Sequence, residues 1–67
     1  MPKTAPEPVA VTVDLTPAQA LALAQMVKRL HWSDARNLAV DDAETEQMVA
    51  AVTRLQRALA DVGFAPR

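Results

Sequence analysis

The chain has 67 residues, 51% of them hydrophobic, and a formal net charge of −1 with a pI near 5.6. That length excludes more than one domain. The absence of Cys excludes a disulfide or a thiolate–metal staple, and the charge balance lacks the basic excess of a nonspecific nucleic-acid or membrane binder.

With one Trp, one Phe and no Tyr, the core has to be aliphatic. A chain of this size buries only about 60% of its unfolded surface. Self-association is the staple left open. No apolar run approaches the roughly 20 residues of a membrane helix, so no membrane partner is expected. Lys3 is followed by Thr4-Ala5-Pro6-Glu7-Pro8 rather than by an apolar stretch, so a cytoplasmic location is expected.

Residues 1–8 hold three of the five prolines and read as an extended, solvated tail ahead of a single small domain over 9–67. Residues 9–15 alternate. Val9, Val11, Val13 and Leu15 fall on one side and Ala10, Thr12 and Asp14 on the other, the pattern of a half-buried strand rich in β-branched residues.

Thr16, Pro17 and Gln19 form a helix start: an N-cap, a proline at the first helical position and a T-x-x-Q capping box. The helix is expected over 17–30, with Ala20, Leu23, Val27 and Leu30 as its apolar stripe. Lys28, Arg29 and His31 are expected at its C-terminal end, where cations favour the helix dipole. His31-Trp32-Ser33-Asp34 reads as a corner. Ser33 is expected to cap a short helix over 34–40, with Trp32 as a core plug.

Leu38 is out of phase with the apolar positions beyond Asp42, which predicts a break near Asp41. Asp41 or Asp42 then caps a long helix over 42–62. Met48, Val52, Leu55, Leu59 and Val62 step by four and three, a heptad-like seam. Gly63 is expected to end that helix with Phe64 folding back on Leu59 in a Schellman arrangement, and Pro66 forbids continuation. The fold class is therefore mainly α: one N-terminal strand, then a bundle of helix, short helix and long helix. A lone strand has to be paired or covered, either by a second copy of the chain or by a partner's sheet edge.

Three groups invite a chemical reading. His31, Ser33 and Asp34 contain the residue types of a nucleophilic site, but sequence neighbours rarely reach that geometry, and no glycine elbow surrounds Ser33. Capping explains them without catalysis, so no catalytic residue is assigned. Asp41, Asp42, Glu44 and Glu46 fit no calcium loop, since the central glycine and ligand pattern are missing. No metal or cofactor is expected. As the densest charge on the chain, these four are nonetheless the candidate contact for a basic partner surface. Lys28, Arg29 and Trp32 combine cations with an aromatic, as nucleic-acid sites do, yet are too few to carry affinity alone.

The chain resembles two families. The order alternating stretch, Leu15, Thr16-Pro17, helix, turn and Ser33-capped helix resembles the ribbon-helix-helix regulators over residues 9–40. That resemblance implies an antiparallel strand pair in a dimer whose outward side chains, here Ala10, Thr12 and Asp14, enter the major groove. Of these Thr12 suits base reading, and Asp14 repels phosphate. Leu21-Ala22-Leu23-Ala24-Gln25, Lys28-Arg29, Trp32-Ser33-Asp34-Ala35-Arg36, Asp41-Asp42-Ala43-Glu44, Leu55-Gln56-Arg57-Ala58-Leu59 and Gly63-Phe64-Ala65-Pro66-Arg67 together resemble a family of short bacterial and mobile-element proteins of unknown function.

The expectation is a non-enzymatic protein, a homodimer, that binds a protein or ribonucleoprotein. Its specific form, by analogy of size and of that second resemblance, is a phage or mobile-element inhibitor of a bacterial defence system, of the anti-CRISPR type. The alternative is a dimeric ribbon-helix-helix-like DNA-binding regulator, with Thr12, Lys28, Arg29 and Trp32 as its nucleic-acid contacts.

Overall fold

A computed structural model describes residues 7–64 and is mainly helical. Its three helices are α1 (Pro17–Arg29), α2 (Trp32–Leu38) and α3 (Asp42–Asp61). Residues 1–6 of the expected tail, and Pro66, lie outside the described residues.

The start of α1 obeys its sequence signals. Gln19 N–H donates to Thr16 Oγ1 (3.1 Å), and Thr16 N–H donates to Gln19 Oε1 (3.0 Å). This reciprocal pair satisfies two backbone donors that a helix start leaves over. The helix ends at Arg29, one residue earlier than expected, because Leu30 and His31 take extended backbone angles and turn the corner. His31 therefore lies past α1, while Lys28 and Arg29 occupy its last turn.

The second helix differs from expectation at both ends, running over 32–38 rather than 34–40. His31 rather than Ser33 is its N-cap residue. The cause is Asp34, whose Oδ2 accepts the His31 backbone N–H at 2.8 Å and fixes the helix start two residues upstream of Ser33. Trp32, expected as a core plug, opens the helix half exposed.

Asp41 caps α3 by accepting the Glu44 N–H at 2.9 Å. At the other end Gly63 takes φ +99, its N–H donates to the Ala60 carbonyl (3.0 Å), and Phe64 N–H donates to the Leu59 carbonyl (2.8 Å). This is the Schellman closure, with Phe64 packed on the core around Leu59.

The expected strand over 9–15 is not formed in the single chain. Among the described residues no backbone hydrogen bond reaches residues 9–15, and a ladder needs a second strand. The segment is chain without helix, strand or turn that leads into Thr16, which is itself extended, with Val9, Val11, Val13 and Leu15 exposed.

Both α1 and α2 pack on α3 and not on each other. Against its C-terminal half, Ala24 and Val27 of α1 meet Leu59, ringed by Leu23, Leu30, Val52 and Phe64. The α1 stripe agrees with expectation except that Ala24, not counted in it, is its fully buried centre. The α3 seam is corrected. The covered positions are Thr45, Met48, Val49, Val52, Gln56 and Leu59. Leu55 is 38% exposed against 6% for Leu59, and Val62 is largely exposed. The inward stripe 45-49-52-56-59 is the expected one rotated by about 60° around a helix of 3.6 residues per turn.

Candidate partner-binding site

The junction of α2 and α3 gathers the four acidic residues Asp41, Asp42, Glu44 and Glu46, and most of them have work inside the fold. Asp41 caps α3. Glu44 Oε1 accepts the Val40 backbone N–H at 2.7 Å, holding the linker from the α3 side. Asp42 Oδ1 pairs with Arg36 Nε at 2.8 Å, and Arg36 Nη1 also donates to the Ala39 carbonyl at 3.3 Å. Beneath them Thr45 is fully buried and its hydroxyl donates to the Asp41 carbonyl at 2.9 Å. These bonds clasp the end of α2 to the start of α3. Asp41, Asp42 and Glu44 are thus engaged within the fold. Among the four, only Glu46 has no hydrogen bond or ion pair among the described residues.

Beside the exposed charges of the clasp stand two exposed apolar side chains. Leu38, the last residue of α2, is 74% exposed and Val40, two residues on in the linker, is 83% exposed. Both are bracketed in sequence by the charged side chains of Arg36, Asp42, Glu44 and Glu46. Such exposure of large apolar side chains marks a candidate contact. One hint of it lay in the sequence: Leu38 falls out of phase with the apolar positions of α3. Arg36 had no local signal, since its partner lies six residues away beyond a break.

The other candidate residues do not converge. Lys28 and Trp32 line a small cleft at the α1–α2 corner with His31, Val52 and Gln56, whereas Arg29 borders a shallow depression on the outer side of α1 with Met26 and Ala22. Thr12 belongs to a third depression, a groove it shares with Leu23, Leu55 and Leu59. The nucleic-acid reading thus has its residues in three places.

At the corner, the His31 Nδ1 to Asp34 Oδ2 distance is 3.7 Å, and that carboxylate is engaged by the His31 backbone N–H. Asp34 serves the helix start rather than orienting an imidazole. Among the described residues no three His, Asp or Glu side chains are grouped as a metal site would need, and no helix is long and apolar enough to cross a membrane.

A further groove, about 710 Å³, lies between residues 11–15, the start of α1 and the end of α3. Its walls include Val11, Val13 and Leu15 on one side and Leu23, Leu55 and Val62 on the other. Three of the four residues expected to self-associate are therefore in one apolar groove, while Val9 stands beyond it.

The model of a family of unknown function, DUF7706, matches residues 1–67, so the chain belongs to that family. No curated protein and no solved structure matches it.

Proposed function

We propose that this family member acts by binding a protein rather than by catalysis, and that the α2–α3 junction is the contact. The observation that carries the reading is the exposure of Leu38 and Val40 on a junction fixed by the Arg36–Asp42 pair and the Asp41 and Glu44 caps. Fully burying such a side chain is worth about 1.5–3 kcal/mol, and a preorganised loop loses little entropy on docking. The charges that flank Leu38 and Val40 in sequence, Arg36 against Asp42, Glu44 and Glu46, are net acidic, so the fitting partner has an apolar pocket edged by Lys or Arg. In such a pairing Glu46, whose side chain has no hydrogen bond or ion pair among the described residues, raises the association rate. An inhibitor of a bacterial defence complex, of the anti-CRISPR type, is the narrower form of the reading. It is supported by small size and by the resemblance to mobile-element proteins.

The test is quantitative capture from cells that carry the gene, comparing wild type, the pair Leu38→Ser with Val40→Ser, and Leu21→Ser on α1 as a surface control. Proteins retained by wild type and by Leu21→Ser but lost with the junction pair support the reading. Equal capture by all three discards it. A second reading, a DNA-binding regulator, is favoured by the segment that leads into the capped α1. It requires duplex DNA binding that falls steeply with salt.

A further inference from the structure

The stretch 9–15 has the residues of a strand, no helix or turn of its own, and no hydrogen-bonded neighbour among the described residues. Its apolar side chains are left in solvent in a graded way: Val9 is 85% exposed, Val11 76%, Val13 63% and Leu15 39%. Only the end next to α1 is tucked in. Beside it, the groove walled by Leu23, Leu55, Val62 and Phe64 stays open because one chain does not fill it.

We propose that residues 9–15 of two copies of this chain pair antiparallel about Thr12, forming a two-stranded ribbon that roofs the groove between α1 and the end of α3. This inference rests on a different surface from the α2–α3 junction and does not depend on it. The occupant is a second copy because the segment is complementary to itself. An antiparallel register centred on Thr12 sets Val9 opposite Leu15 and Val11 opposite Val13, which places eight apolar side chains on one face of the ribbon. On the other face Thr12 meets Thr12, a favourable cross-strand pair, and each Asp14 meets an Ala10. Parallel pairing in register sets Asp14 beside Asp14, which is unfavourable. An isolated two-stranded ribbon is marginal in water, and packing against helices is what makes one stable. The groove supplies that support from both copies.

The chain has no Cys, so a single introduced thiol reports on one position cleanly. In the proposed ribbon the two Thr12 Cβ atoms are about 4.5–5.5 Å apart, within disulfide reach. The two Ala10 positions are about 13 Å apart along the strands, out of reach. The experiment is mild oxidation of full-length Thr12→Cys and Ala10→Cys at low micromolar concentration, beside sedimentation of the wild type. The expected result is a wild-type dimer, rapid covalent dimer from Thr12→Cys, and at least tenfold slower cross-linking of Ala10→Cys. A wild type that stays monomeric at several hundred micromolar overturns the proposal. So does a dimer in which both variants cross-link alike, or in which Thr12→Cys does not cross-link, since the copies then meet in another register or elsewhere. Leu38→Ser with Val40→Ser should leave the dimer intact, which separates this outcome from failure of the junction as a docking site.

Discussion

Around the C-terminal half of α3 the neighbours are side chains: Val27, Ala24, Leu23 and Phe64 gathered on Leu59. Around its N-terminal half the apolar cover is slighter, the small Ala35 with part-buried Met48 and Val49, and hydrogen bonds are added to it: the Asp41 cap, Glu44 on Val40, the Thr45 hydroxyl on Asp41 and the Arg36–Asp42 ion pair. Apolar burial is non-directional and scales with area, at about 1.5–3 kcal/mol for a large side chain. Caps and surface ion pairs are directional and on the whole smaller, at about 0.5–2 kcal/mol for a cap and about 0–1 kcal/mol for an exposed pair. The first half therefore sets how stable the domain is, and the second sets where α2 and its exposed Leu38 point. That division leaves the α2 end as the part that opens at lowest free-energy cost.

The largest effect expected to expose this contrast comes from the apolar half. Leu59→Ala removes the one large side chain of α3 that is buried, and should cost about 2–5 kcal/mol. Leu55→Ala, four residues away and turned toward the groove, should cost less, about 1–2 kcal/mol, in protein dilute enough to be monomeric. Denaturant unfolding of both variants checks the ranking. Equal losses would mean that α3 is rotated toward the expected seam.

Asp41→Ala attacks the polar half and should cost about 0.5–2 kcal/mol. Its signature is local as well as global. Hydrogen exchange should quicken at the amides of Glu44 and Thr45 and at Val40, while the amides around Val27 and Leu59 keep their protection relative to the global stability. Uniform loss of protection along α3 would show that the two halves form one cooperative unit with no weaker end.

What was legible in the sequence was chemistry confined to three or four neighbouring residues. Thr16 with Gln19, Asp41 with the α3 start, and Gly63 with Phe64 each satisfy backbone groups within one turn, so their spacing alone specifies them. What was not legible depended on the neighbours that α3 meets. A pattern of apolar residues selected Leu55 and Val62 because they are large, yet the covered line runs through Thr45 and Gln56, two polar residues no hydrophobic count would choose. Thr45 is tolerated there because its hydroxyl bonds to the carbonyl four residues back, which removes the desolvation penalty. Ala24 was overlooked for the opposite reason: it is small, and small is what a close approach of α1 to α3 requires. The α2 start was displaced by Asp34, an acceptor strong enough to recruit His31 as cap. The candidate site was legible as a charged stretch. The bonds that Asp41, Asp42 and Glu44 make were not, because Arg36 and Val40 lie across a break, and Leu38 and Val40 stand exposed beside them.

The smallest expected effect concerns that clasp. The Asp42 carboxylate is mostly exposed and the Arg36 side chain partly so, which places their pair in the surface class worth about 0.2–1 kcal/mol. Asp42→Asn keeps the shape and an acceptor for the guanidinium but removes the charge. It also removes a negative charge from the first turn of α3, where the dipole favours one by about 0.3–1 kcal/mol. Both contributions are screened by salt, with a Debye length of about 3 Å at 1 M against roughly 10 Å at 0.1 M. The stability difference between wild type and Asp42→Asn should therefore be near 1 kcal/mol at low salt and should shrink severalfold at 1 M. Leu59→Ala should respond to the same salt in no comparable way, because its loss is cavity and transfer free energy. Parallel urea titrations at the two salt concentrations measure both differences. An Asp42→Asn penalty above about 2 kcal/mol that salt does not change would place this pair among buried, structure-determining ion pairs. The contrast between an apolar half that sets stability and a polar half that sets direction would then be lost.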